Sequence, residues 1–124
     1  MKDTRPVNLN LILFKWPLPA LTSILHRISG VALFFGTAIL LYLLQLSLES
    51  QAGFDLALEI VASTAGKIIL WLIVAALAYH LIAGAKHLLM DMRIGETREG
   101  ARTGATVTLV LFLISAVLAG VWLW

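Results

Sequence analysis

The segment ISGVALFFGTAILLYLLQLSL, residues 28–48, contains no charged side chain and a single amide, Gln45. Two more such segments follow: residues 68–85, uncharged apart from the imidazole of His80, and residues 105–124. Each segment is long enough to cross a hydrocarbon core of roughly 30 Å as an α-helix. Because lipid offers no hydrogen-bond partners to an exposed backbone, helices are the expected form. The sequence therefore predicts three membrane-spanning helices.

The composition predicts the same environment. The chain has 124 residues, of which 60% are hydrophobic and 13% are charged, whereas a soluble domain is nearer half apolar and a quarter charged. A chain this short has too little interior to hide that excess, and its mean hydropathy is +0.96. We expect an all-α integral membrane protein that forms a single transmembrane domain over residues 1–124. Its parts are an N-terminal arm, residues 1–19, and spans at about residues 20–48, 67–90 and 104–124.

The loops predict the orientation of the spans. Basic side chains are concentrated in the N-terminal arm and in the loop before the third span, while the first loop carries Glu49, Asp55 and Glu59. Short loops rich in lysine and arginine stay in the cytoplasm, so we expect a cytoplasmic N-terminus and an external C-terminus. Within the first loop, residues 53–62 combine apolar and acidic positions and predict a short helix on the outer surface.

Several classes of protein are excluded by what the sequence lacks. It has no cysteine, so disulfides and cysteine-ligated metal centres within the chain are excluded. The formal charge of +2 is too small to indicate nucleic acid as a partner. The N-terminus does not resemble a cleaved signal peptide, because Lys15, Pro17 and Pro19 interrupt it. We expect a multi-pass protein of a bacterial inner membrane.

Two polar clusters lie at the predicted cytoplasmic ends of the first two spans. In the first, Ser23, His26, Arg27 and Gly30 are spaced i, i+3, i+4 and i+7 and share one helical face. This face combines a hydroxyl, an imidazole, a permanent cation and a position without a side chain. A snorkelling arginine beside an interfacial histidine is the alternative interpretation.

The second cluster, His80, Gly84, His87 and Asp91, also lies close to one helical face. An ionisable side chain inside the membrane indicates function, and for His80 we consider haem ligation, proton relay or a hydrogen bond to a neighbouring helix. His80 and His87 are two turns apart, about 10.5 Å along the axis. The two axial ligands of one iron are about 4 Å apart, so these two cannot share an iron. His26 is expected near the inner surface and at a different depth from His80, so a second histidine ligand must come from another chain.

The same surroundings suit a quinone, whose carbonyl groups accept hydrogen bonds. Ser23 can donate to a carbonyl, Arg27 can stabilise charge on a reduced oxygen, and Asp91 at the water boundary can relay protons. The alternatives are an N-terminal helix cap for Ser23 and an ordinary boundary carboxylate for Asp91. His26, Arg27 and His87 lie at a depth suited to haem propionates. The hydroxyls of the third span are interpreted as helix-packing groups.

Three motifs give the chain a family resemblance: RPVNL at residues 5–9, S-x-x-H-R-x-S-G at residues 23–30 and H-x-x-x-G-x-x-H-x-x-x-D at residues 80–91. With its three-span plan, the chain resembles the cytochrome b membrane-anchor subunit of succinate dehydrogenase (succinate:quinone oxidoreductase, respiratory complex II). The resemblance covers essentially the whole chain, and ordered motifs at matching spacing are more specific together than alone. Two departures are Lys86, where the family usually has arginine, and Arg93, where it tends to a small residue.

The resemblance implies a membrane anchor in a larger enzyme. The subunit would bundle with a second three-span anchor, share one haem b with it, and dock an iron–sulfur subunit and a flavoprotein subunit on the cytoplasmic side. Succinate is oxidised on the flavoprotein, and electrons reach ubiquinone where the anchors meet the iron–sulfur subunit. Carried onto matching positions, the resemblance implies that His80 is the axial ligand of the haem iron. It also implies quinone contacts from Ser23 and Arg27, and propionate contacts from His26, Arg27 and His87.

Other functions stay open at this point. A quinol:fumarate reductase would use the same anchor in the opposite direction, and a haem-free anchor would only hold the soluble subunits. Replacement of His80 distinguishes the haem-binding anchor from the haem-free one. A small transporter or proton channel needs a polar path across the whole bilayer, and the outer halves of all three spans are nearly featureless.

Overall fold

The computed structural model describes residue 10 and residues 15–124, and over this part of the chain it contains four α-helices and no β-strand. They are α1 (Leu18–Glu49), α2 (Gln51–Ala62), α3 (Thr64–Asp91) and α4 (Arg98–Leu123). Helices α1, α3 and α4 are long and apolar enough to cross a bilayer. The predicted all-α, three-span architecture is confirmed, and the short helix predicted in the first loop is α2. The RPVNL motif lies outside the described residues.

Hydroxyl caps begin three of these helices. The side chains of Ser50, Ser63 and Thr97 accept hydrogen bonds from the backbone N–H groups of the glycines three residues further on, which satisfies donors that a helix start leaves unpaired. The turn between α2 and α3 requires glycine, because a Cβ on Gly66 would collide with the backbone carbonyl of Ile60. A turn this tight determines where α3 starts relative to α2.

The other end of α3 is a Schellman motif. The N–H of Ile94 donates to the carbonyl of Leu89. The N–H of Arg93 donates to the carbonyl of Met90, as in helix ends that reverse through a left-handed residue. Arg93 is that residue, with a φ of 63°, a conformation that favours glycine because glycine lacks a Cβ. Arg93 is one of the two departures from the family pattern, and it is the residue at which the chain reverses after Asp91.

The interior of the bundle consists of small side chains. Helix α3 is central and packs against α1, α2 and α4. Among the described residues, the buried apolar side chains are those of five alanines and Tyr79. Large apolar side chains face outward, for example those of Phe34, Phe35, Val121 and Trp122. This is the arrangement expected in lipid, where small residues let helix backbones approach and large apolar residues meet acyl chains.

We call the end of the bundle at which α1 begins, α3 ends and α4 begins the basic end. Its exposed basic side chains are Lys15, Arg93, Arg98 and Arg102. Helix α2 lies at the opposite end, where α1 ends and α3 begins. The assignment of the basic end to the cytoplasmic side stays a prediction from this charge distribution.

Candidate functional site

Helices α1 and α3 each carry a histidine followed four residues later by a glycine, and these pairs meet across the interface. A Cβ placed on Gly30 of α1 would lie 3.1 Å from Cε1 of His80 on α3. A Cβ placed on Gly84 of α3 would lie 3.5 Å from Nε2 of His26 on α1. The two helices are therefore antiparallel, with Gly30 opposite His80 and Gly84 opposite His26. Each imidazole occupies space that a missing side chain leaves.

The structure brings the chain's three histidines together. The ring centroids of His26 and His80 are 4.1 Å apart with an interplanar angle of 14°, so the rings are stacked. The ring of His87 lies 5.0 Å from that of His26, tilted by 31°. All three side chains are half-buried. The histidine cluster thus joins the two sequence motifs, with His26 as the common neighbour.

The expected difference in depth between His26 and His80 is wrong. Helix α1 begins at Leu18, so His26 lies about 12 Å along the helix axis rather than near its start. His80 lies about 16 Å before the end of α3 at Asp91. The stacked rings span the remaining difference of about one helical turn.

The geometry of the stacked pair also bears on the second haem ligand. The rings of His26 and His80 meet face to face, whereas the two axial ligands of one iron approach the metal through ring nitrogens. The stacked pair therefore does not have the arrangement of two ligands on a single iron. A second ligand from another chain stays a prediction.

A hydrogen-bond network determines which nitrogen of His80 carries the proton. The hydroxyl of Ser29 donates to the backbone carbonyl of His26 at 2.7 Å, which uses its only proton. Nδ1 of His80 lies 3.0 Å from that hydroxyl oxygen and 3.2 Å from the same carbonyl. Both partners can only accept, so Nδ1 is the protonated nitrogen. Nε2 of His80 has no hydrogen-bond partner among the described residues.

His87 is held in a similar way. Its Nδ1 lies 2.7 Å from the backbone carbonyl oxygen of Ala83, which can only accept, so Nδ1 carries a proton. No three histidine or carboxylate side chains within residue 10 and residues 15–124 are arranged to share a metal ion. The histidine cluster is therefore not a metal centre of the zinc type, whereas a haem iron needs only one ligand from this chain because the macrocycle supplies four.

In the described part of the chain, no side-chain hydrogen bond or ion pair joins the three predicted quinone residues to one another. Ser23 is half-buried and lies inside α1, five residues after Leu18, so it is not the helix cap that the alternative interpretation required. Arg27 is exposed, and Asp91 is exposed as the last residue of α3. Within the described part of the chain, neither Arg27 nor Asp91 has an ion pair or a hydrogen-bonding side-chain partner. Their shared role stays a prediction.

Sequence reasoning missed three residues that join α1 to α3. The hydroxyl of Tyr79 donates to the backbone carbonyl of Thr22 at 2.6 Å, and Nζ of Lys86 donates to the hydroxyl oxygen of Thr22 at 3.2 Å. At the level of the sequence, Tyr79 has no assigned role and Lys86 is only a departure from the family pattern. Tyr79 and Lys86 are seven residues apart, as are His80 and His87, and each precedes one of those histidines by one position. This repeat was the signal in the sequence that could have identified them.

The fold and the histidine cluster define a class: a multi-pass helical membrane subunit with clustered imidazoles between its first two spans. Over residues 1–119 the sequence matches the family described as succinate dehydrogenase/fumarate reductase transmembrane subunit. This chain belongs to that family, which confirms the resemblance of its motifs.

The relatives are more specific. The succinate dehydrogenase cytochrome b556 subunit of Coxiella burnetii is 38% identical over 100% of both chains. The subunit of the same name from Paracoccus denitrificans is 35% identical over 94% of this chain and 90% of its own length. The mitochondrial succinate dehydrogenase cytochrome b560 subunit of Sus scrofa is 33% identical over 93% of this chain and 69% of its own length. They support a succinate dehydrogenase cytochrome b membrane anchor, which is part of an oxidoreductase complex.

Proposed function

We propose that this chain is the haem b- and ubiquinone-binding membrane anchor of a bacterial succinate:quinone oxidoreductase. The observation that carries the haem assignment is the state of His80, whose Nδ1–H is held by Ser29 and by the carbonyl of His26. A neutral imidazole with one nitrogen anchored and the other free is the form that ligates iron. The cytochrome b names of the relatives add support.

The surrounding residues fit a haem. Gly30 and Gly84 admit the imidazole rings of His80 and His26 between the two helices, and His26, Arg27 and His87 are proposed partners for the propionates. Nδ1 of His87 is already bound to a backbone carbonyl, so Nε2 is the nitrogen that is left to face a propionate. When bound, a haem supplies a one-electron redox centre.

The proposed quinone site lies on the same face of α1, toward the basic end. Ser23 donates a hydrogen bond to one carbonyl of ubiquinone. Arg27 stabilises the negative charge that develops on the reduced oxygen, and its freedom from ion pairs with described residues leaves its donors for that task. Asp91, exposed at the end of α3, relays protons from water.

In the proposed complex a second three-span anchor shares the haem. The iron–sulfur and flavoprotein subunits dock at the basic end, on the cytoplasmic side of the inner membrane, and succinate is oxidised on the flavoprotein rather than on this chain. The family description also names fumarate reductase, but the relatives are named for succinate dehydrogenase. That favours electron transfer from succinate to quinone.

The test is a reduced-minus-oxidised absorption spectrum of the detergent-purified complex, isolated through this chain. We expect a b-type haem band in the parent and its loss in His80→Leu, because Leu has no donor for iron. His87→Leu, which removes a proposed propionate partner but not the proposed iron ligand, should retain a haem band.

Two results would overturn the haem assignment. One is a parent complex without haem although its partner subunits are present, which would leave the chain as a haem-free anchor. The other is an unchanged haem band in an assembled His80→Leu complex. Neither result would alter the membership of the family, and succinate-driven reduction of ubiquinone by the parent tests the quinone assignment separately.

A further inference from the structure

Helix α3 presents two neighbouring rows of side chains to α1, each with a seven-residue spacing. One row, His80 and His87, lies against the ring of His26. The other row consists of Tyr79 and Lys86, each one position before a histidine. Both bind Thr22, which lies one turn before His26. The two rows therefore hold successive turns of α1, and only the first row is used by the proposed haem site.

Thr22 is bound through both of its oxygen atoms. Its backbone carbonyl accepts from the hydroxyl of Tyr79 at 2.6 Å. Its hydroxyl oxygen accepts from Nζ of Lys86 at 3.2 Å and donates its own proton to the carbonyl of Pro19 at 3.0 Å. Thr22 is 0% exposed, so these bonds form inside the bundle, where polar groups need partners because water is absent. We call this arrangement the Thr22 clamp.

The two donors of the clamp are themselves fixed by α4. Lys86 is 9% exposed, and a Cβ placed on Gly104 of α4 would lie 3.5 Å from its Cγ and Cδ, so the lysine stem runs over a position without a side chain. Tyr79 is 5% exposed, and its ring meets that of Phe112 edge to face at 5.3 Å. A buried ammonium group is tolerated only where acceptors are specific and close. The clamp therefore holds the start of α1 in position against the packed pair α3 and α4.

We infer that Thr22, held by Tyr79 and Lys86, is a positioning residue for the quinone contacts, an inference that rests on the proposed function. Ser23 directly follows Thr22, and Arg27 lies one turn further along the same rigid helix. Rotation or sliding of this part of α1 moves both side chains together. A displacement of about 1 Å can reduce the rate of a positioned reaction by as much as 100-fold.

The test replaces Thr22 by valine, which keeps the branched shape but cannot accept from Lys86. In the purified complex we expect the apparent KM for ubiquinone to rise roughly tenfold, while succinate oxidation by an artificial acceptor that draws electrons from the soluble subunits is unchanged. Thr22→Ser keeps the hydroxyl and should restore a KM close to that of the parent. A solely structural role would reduce the yield or thermal stability of the complex without this rescue pattern in KM.

Thr108→Val is the matched control. Thr108 is 2% exposed, and its hydroxyl donates within its own helix to the carbonyl of Gly104 at 2.8 Å. The control therefore removes an equally buried hydroxyl that makes no bond to α1. Its KM for ubiquinone should equal that of the parent.

Backbone amide exchange gives a readout that does not depend on turnover. Exchange in the peptide covering residues 18–27 should be faster in Thr22→Val than in the parent, and unchanged in Thr108→Val. If Thr22→Val does not assemble, Tyr79→Phe takes its place, since it removes only the hydroxyl that binds the Thr22 carbonyl, and the same rise in KM is expected.

The inference is overturned if assembled Thr22→Val has the parental KM and the parental exchange. It is also overturned if Thr108→Val raises the KM equally, because general loosening would then explain both. Failure of the proposed function is distinguishable, since it would appear in the parent complex as an absence of succinate-driven ubiquinone reduction.

Discussion

The two halves of the bundle are built from the same helices but are held together differently. In the half nearer the basic end, side chains of Ser29, Tyr79, His80 and Lys86 form hydrogen bonds between α1 and α3. In the other half, the indole N–H of Trp71 donates to the carbonyl of Ala116 at 2.8 Å. This is the one hydrogen bond between helices in that half of the described part of the chain. Polar contacts between helices are therefore concentrated where the two sequence motifs lie.

The same pair of helices shows the contrast at its glycines. Gly30 and Gly84 face imidazole rings, whereas Gly36 faces the aliphatic side chain of Ile73. Three hydroxyls of α4 donate to carbonyls four residues earlier in the same helix rather than to another helix; they belong to Thr106, Thr108 and Ser115. Hydrogen bonds between helices in lipid contribute about 0.6 kcal/mol each on average, so stability alone does not explain their concentration. The concentration agrees with the site proposed in the basic half.

The comparison predicts its largest effect for a charge at the basic half. Arg27→Leu should reduce succinate-driven ubiquinone reduction by roughly 100-fold, because one donor to the developing negative charge is lost. Succinate oxidation by an artificial acceptor should be spared. Parallel assays of both activities make the measurement, and Lys67→Leu, which removes a cation at the opposite end, should leave both unchanged. Equal loss of both activities in Arg27→Leu would mean that Arg27 holds the complex together instead.

A smaller effect separates the two kinds of glycine. A Cβ on Gly30 would lie 3.1 Å from Cε1 of His80, and a Cβ on Gly36 would lie 3.0 Å from Cγ1 of Ile73. In both alanine variants the facing side chain must shift by a few tenths of an ångström to admit the methyl group, and thermal unfolding of the complex measures the net effect on stability. Only Gly30→Ala should also change the haem absorption band, because its neighbour is the proposed ligand. An altered band in Gly36→Ala as well would remove the distinction between the halves.

The smallest effect concerns the hydroxyl beside His80. Ser29→Ala removes one of two acceptors from the Nδ1–H and leaves the carbonyl of His26 in place. Such acceptors make an imidazole a stronger donor to iron, so the haem midpoint potential should become more positive by a few tens of millivolts, where about 59 mV corresponds to a tenfold change for one electron. Redox titration of the haem band measures it. Ser47→Ala, whose hydroxyl donates to the carbonyl of Leu44 near the opposite end, should leave the potential unchanged, and a shift of equal size there would contradict the assigned role.

Much of the candidate site was visible in the sequence because helical periodicity places residues three or four apart on one face. That reasoning singled out His26 and Gly30 as one set and His80 and Gly84 as another, and the structure shows that these sets meet. It did not assign Ser29 a role, because its importance depends on a residue 51 positions away. It also assigned no role to Tyr79, because the carbonyl of Thr22 that its hydroxyl binds lies 57 positions away.

The sequence by itself determined that the chain forms apolar helices of membrane-spanning length, because a long uncharged segment in lipid must satisfy its own backbone hydrogen bonds. It also determined which residues share a face within each helix. Only the tertiary structure decided how α1 and α3 align, because the register between two helices depends on where side chains are small enough for close approach. That register, with Gly30 opposite His80 and Gly84 opposite His26, stacks two imidazoles that sequence reasoning had placed at different depths.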